Sequence, residues 1–132
     1  MLASRWYSGE MDGGSTRHPI SLVERIARRQ EDARLRADAL RACVPTLARR
    51  LRVLGATRVR LFGSLATHAQ PHAATDIDLC VDGLDDFAAG EAILELEPMA
   101  GARVDVVRWE GASDRLRARI TRDGVEVGDE PR

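Results

Sequence analysis

Arg58-Val59-Arg60-Leu61-Phe62-Gly63-Ser64 and, after a spacer, Thr75-Asp76-Ile77-Asp78-Leu79-Cys80-Val81 are the two runs of this chain that decide how it folds. Each is a short apolar and β-branched stretch bounded by turn-forming residues, the pattern of a strand. Alternate side chains of a strand share a face, so Asp76 and Asp78 point one way while Ile77 and Leu79 point the other, toward a core. Two carboxylates held side by side repel unless a cation stands between them, and hard oxygen ligands presented in this manner suit Mg²⁺. Gly63-Ser64 adds a backbone that can come close to phosphate oxygens and a hydroxyl that can donate to them.

A third acid extends the set. Ala102-Arg103-Val104-Asp105-Val106-Val107 reads as another short strand with one carboxylate at its centre, where a neighbouring strand could deliver Asp105 beside Asp76 and Asp78. Acids on two strands make a two-metal site, in which ions roughly 3.5–4 Å apart stabilise the attacking and leaving oxygens of an in-line displacement.

In this order and spacing, Gly63-Ser64, Asp76-Ile77-Asp78 and Asp105 resemble the signature of the polymerase-β-type nucleotidyltransferases, most closely their minimal, single-domain members. The helical stretch from Leu47 to Gly55 is similar to the family's approach to the motif. The run Leu116-Arg117-Ala118-Arg119-Ile120-Thr121-Arg122-Asp123-Gly124-Val125 is similar to its closing helix and last strand. The likeness covers about residues 35 to 127, and the chain departs from it at Ala66-Thr67-His68, where members often carry Ala-Arg-Gly or Ala-x-Gly. The resemblance implies an α/β (α+β) fold, a short mixed sheet with helices packed on one face. It also implies metal-assisted nucleotidyl transfer from ATP, with Asp76 and Asp78 holding Mg²⁺ on the triphosphate. Gly63 and Ser64 would then position the β- and γ-phosphates, while Asp105 holds a second Mg²⁺ and helps deprotonate the attacking hydroxyl.

Larger relatives carry an additional domain for the acceptor, for which this chain has no residues left. Minimal members are commonly antitoxins paired with an all-helical HEPN-class ribonuclease toxin, and the resemblance implies transfer of AMP to a tyrosine of such a partner. Two alternatives stay open: an inactive antitoxin that masks its toxin by binding, and a transferase acting on a small molecule such as an aminoglycoside.

At 132 residues the length suits one domain, residues 20–132, preceded by a tail, residues 1–19, with Gly13-Gly14-Ser15 and no periodicity. The chain shows neither a run of 18 apolar residues nor a leading charged-then-apolar segment, so a cytoplasmic location is expected. All 20 basic residues are arginine, which excludes lysine-adduct chemistry, and a net charge of −1 argues against direct nucleic-acid binding. Cys43 and Cys80 lack metal-ligand spacing and read as core residues.

Ser21 with Glu24 forms a capping-box pattern opening a helix with apolar Leu22, Val23, Ile26 and Ala27, expected to end near Cys43. Pro45 is expected to start a second helix through Leu47, Ala48, Leu51 and Leu54 to Gly55. Strands are expected at 57–62, 77–81 and 103–107. A helix capped by Asp85 or Asp86 should run through Leu96 with Phe87, Ile93, Leu94 and Leu96 packing, and a last helix over 113–122 should precede a strand at 125–127. His68 and His72 read as loop histidines, while Tyr7 and His18 belong to the tail. Trp109 reads as a packing residue, and Asp82, Asp85 and Asp86 serve capping and solvation.

Overall fold

The computed structural model describes residues 20–68 and 76–128; the expected tail, with Tyr7 and His18, and the spacer residue His72 lie outside them. Ser21 opens helix α1 as the capping box requires. Its hydroxyl accepts from the Glu24 N–H at 3.0 Å, and the Glu24 carboxylate accepts from the Ser21 N–H at 3.2 Å.

Helix α1 then runs unbroken over Leu22–Val53, 32 residues, with Pro45 inside it. The expected break into two helices is corrected here, and the reason is packing. An interior proline loses one backbone hydrogen bond and crowds the preceding turn, at roughly 3 kcal/mol. Burying a Val or Leu side chain returns about 1.5–3 kcal/mol, and Val44, Leu47 and Leu51 are all buried around that proline.

The start of α1 stands clear of the core. Leu22, Val23 and Ile26 are 71%, 75% and 47% exposed, and the buried row begins only at Ala33, continuing through Ala37 and Leu40. A 32-residue helix spans about 48 Å, whereas the five-residue strand it lies against spans about 17 Å. The helix overshoots the sheet, and its first turns carry their apolar row into solvent.

The remaining elements are β1 (Arg58–Phe62), the four-residue turn of helix α2 (Ser64–Thr67), β2 (Ile77–Asp82), α3 (Asp86–Ala100), β3 (Val104–Arg108), α4 (Asp114–Asp123) and β4 (Val125–Glu126). The sheet order is β3-β2-β1-β4. β1 is antiparallel to both β2 and β4, while β2 and β3 are parallel, the mixed sheet expected. Asp85 caps α3 through the Ala88 N–H at 2.8 Å, and the helix continues past Pro98 to Gly101, whose φ of 66° closes it. Its inward row is Ala89, Ala92 and Leu96, so Phe87 and Leu94, expected to pack, instead stand 75% and 73% exposed.

The two faces of the sheet differ. Val59, Leu61, Ile77, Leu79, Val81, Val104 and Val106 form the main core with α1 and α3, the helices expected on one face. The alternate residues Phe62 and Cys80 form a smaller core with Ile120, the one buried residue of α4, flanked by Val107, Trp109 and Leu116. The acids of β2 and β3 share this second face, so α4 stands next to them. Among the described residues no helix is long and apolar enough to cross a membrane.

The contrast along α1 is measurable by chemical denaturation. Leu51→Ala should cost about 2–5 kcal/mol, whereas Leu22→Ala should stay within about 0.5 kcal/mol; comparable losses would mean that the first turns are packed after all.

Candidate functional site

β1 delivers Phe62 opposite Asp78, and the chain turns at once through Gly63 into α2. Gly63 has a φ of 78°, and a Cβ built on it would lie 2.3 Å from Asp78 Oδ2 and 3.2 Å from Asp78 Cγ. Glycine is therefore required twice, by the backbone angle and by the carboxylate pressed against it. The Gly63 carbonyl accepts from the N–H groups of Ala66 and Thr67 at 3.1 and 3.2 Å, which winds Ser64 into the turn. Arg41 holds that turn against α1, donating from Nε to the Leu65 carbonyl at 2.9 Å while pairing with Asp38 at 2.8 Å. His68 ends the turn at a φ of 55°, exposed.

The three expected acids converge from adjoining backbone. Asp78 and Asp105 are register partners on the parallel strands β2 and β3, so their Cα atoms stand about 4.8 Å apart with side chains on the same face. Asp76 lies just ahead of β2, where the Ile77 N–H already bonds to the Arg103 carbonyl at 3.0 Å. Asp76 and Asp78 are half-buried, and Asp105 is exposed. Burial pushes the Asp78 carboxyl above its ordinary value, the Asp105 and Asp76 charges push it further the same way, and Arg119 opposes them. Among the described residues no three His, Cys, Asp or Glu side chains are gathered as a ready-made metal cage.

Two features escaped the sequence. The charge of Arg119 acts on Asp78 because α4 crosses the second face. Arg60, buried, pairs with Asp82 at 3.2 Å and lies 4.5 Å from the Trp109 ring centroid, with the Arg117 guanidinium 5.1 Å from the same centroid. Trp109 is thus a packing residue between cations. Burial raises the thiols of both Cys43 and Cys80, keeping them protonated and unreactive.

No protein-family model and no curated protein matches the sequence, and the kinship shows in three dimensions. A solved structure described as a candidate minimal nucleotidyltransferase is similar at 32% identity over 67% of this chain and 93% of its own, with a TM-score of 0.58. The chain belongs to the minimal nucleotidyltransferase family. A toxin–antitoxin structure solved with AMP-PNP contains a chain similar to this minimal nucleotidyltransferase at 25% identity, over 64% of this chain and 73% of that one, TM-score 0.54. A complex of a tri-AMPylated HEPN toxin with its MNT antitoxin from Shewanella oneidensis shares the fold at 23% identity, over 71% and 73% of the two chains, TM-score 0.52.

The crowding in this minimal nucleotidyltransferase has a pH signature. A carboxyl raised in the folded state destabilises it once ionised, so the penalty is present above the raised value and vanishes as pH falls below the ordinary 3.8. In metal-free buffer Asp78→Asn should therefore melt higher than the unaltered protein at pH 7, with the gap closing near pH 3.5–4 by calorimetry; a gap independent of pH would assign the effect to packing.

The contact between Gly63 and Asp78 calls for a double-mutant cycle. Gly63→Ala should cost about 1–3 kcal/mol through its backbone strain and the clash. The cost should shrink in an Asp78→Ala background, and equal costs in both backgrounds would remove the clash from the account.

Proposed function

We propose that this chain is the antitoxin of a toxin–antitoxin pair and that it transfers AMP from ATP to a hydroxyl, a tyrosine, of a HEPN-class helical ribonuclease. The observation that carries the reading is the pairing of Asp78 with Asp105 in register, with Gly63 packed against Asp78. Kinship with the minimal nucleotidyltransferases supports the reaction class, and the toxin–antitoxin structures with AMP-PNP and with an AMPylated toxin support the nucleotide and the partner.

The donor set fits Mg²⁺. Carboxylate oxygens are its preferred ligands, and the negative crowding that raises Asp78 is what a divalent cation relieves. Asp76 and Asp78 would hold one ion and Asp105 a second; bound there, Mg²⁺ would supply charge stabilisation to the attacking and leaving oxygens. The chain's own groups do the rest. The Gly63 backbone and the Ser64 hydroxyl bind and orient the β- and γ-phosphates. Asp105, the exposed acid, faces the acceptor side and takes the proton from the incoming hydroxyl. The acceptor oxygen bonds to the α-phosphorus, the bond to the bridging oxygen breaks, and pyrophosphate leaves with the electron pair.

The masking alternative has an observation of its own. Leu22, Val23 and Ile26 on α1, with Phe87 and Leu94 on α3, present apolar surface that could hold a partner whether or not turnover occurs.

Mg²⁺ with ATP should raise the melting temperature of the unaltered protein by mass action, and Asp78→Asn should lose that shift. Incubation of a co-encoded helical partner with ATP and this chain should add AMP to it by intact-mass spectrometry. Asp105→Ala should lose the transfer while retaining much of the ATP binding. A partner that stays bound and unmodified by the unaltered protein would favour masking.

A further inference from the structure

Helix α4 brings to the acid cluster a cation that the motif does not contain. Ile120 is fixed against Phe62 and Cys80. Phe62 is the register partner of Asp78, and Cys80 follows Asp78 on the same face of β2. Arg119 precedes Ile120 and so lies on the segment of α4 that crosses this face. Its charge is felt at Asp78 and, one helical turn on, at Asp123.

Two other arginines of α4 are committed, while Arg115, one turn before Arg119, is exposed. Arg117 donates to the Trp109 and Glu110 carbonyls at 2.9 and 3.1 Å, and Arg122 pairs with Asp123 at 2.9 Å. Arg119 is exposed and forms no hydrogen bond or ion pair with a described residue. A guanidinium carries a positive charge and five N–H donors and offers no lone pair to a metal, which leaves anion binding as its chemistry. Its helix crosses the sheet face that carries Phe62 and the acids, so an anion held by Gly63-Ser64 and Asp78 would lie on the same face.

We propose that Arg119 is a triphosphate-binding residue, gripping the β- and γ-phosphates of the nucleotide through its planar fork and steadying the pyrophosphate as it departs. This rests on the nucleotidyl-transfer reading of the same site. AMP, which keeps the α-phosphate and lacks the other two, separates a grip on the leaving group from a general attraction of the site for anions.

The test is calorimetric titration of ATP and of AMP, with Mg²⁺, into the unaltered protein, Arg119→Ala, Arg119→Lys and, as an equal charge loss on the overshooting start of α1, Arg28→Ala. Loss of a charge-assisted grip should weaken ATP binding roughly 10- to 100-fold in Arg119→Ala. AMP affinity should stay within about twofold, Arg119→Lys should recover part of the ATP affinity, and Arg28→Ala should match the unaltered protein. Unchanged ATP affinity in Arg119→Ala, or equal weakening of ATP and AMP, would overturn the assignment while leaving the transferase reading intact. An unaltered protein that binds no ATP would overturn both.

Discussion

Parallel pairing of β2 with β3 is the constraint on which the rest of the site depends. It sets Asp78 beside Asp105 on one face and sends Ile77, Leu79, Val104 and Val106 into the main core on the other. Burial of those apolar residues, about 1.5–3 kcal/mol for each large one, is what keeps two like charges in adjacent register. The repulsion is smaller than the packing that opposes it, so the fold tolerates a crowded, half-buried carboxylate. Gly63 then closes on Asp78 from β1, leaving no room for a side chain between that turn and the acid.

The second face does a different kind of work. A single buried isoleucine, Ile120, seats α4 on Phe62 and Cys80, and that shallow attachment is enough to carry the helix across the face that holds the acids. Farther along the same face, the Asp82 carboxylate and the Trp109 ring compensate what would otherwise be an isolated buried cation, Arg60, while Arg117 lies against the same ring. Acid at one end and compensated base at the other give the face a polarity that a net charge of −1 conceals.

What could be read from residues alone was whatever local chemistry decides. The cap at Ser21 and one of the two expected for α3, Asp85, form as written, and the three central strands fall within a residue or two of where alternation placed them. Pro45 misled because its cost is local while its compensation, burial of Val44, Leu47 and Leu51 against a sheet formed later in the chain, is not. The apolar row from Leu22 to Ile26 was visible as a face, but how far the sheet reaches beneath it depends on strand length elsewhere. Nothing in the motif pointed to Arg119, because its nearness to Asp78 arises only when α4 crosses to the face opposite α1 and α3. The grouping of the acids was legible as a pattern of strands, whereas their parallel register is a property of the assembled sheet.

The overhang of α1 has a kinetic side. Residues 21–32 contribute no buried side chain, so unwinding them gives up only helical hydrogen bonds and the capping box, and none of the core. The free energy of that local opening lies far below that of global unfolding. A protease would therefore meet the chain first at this end, with the sheet and its acids still folded. Whatever covers Leu22, Val23 and Ile26 would lengthen the protein's lifetime without altering the stability of its core.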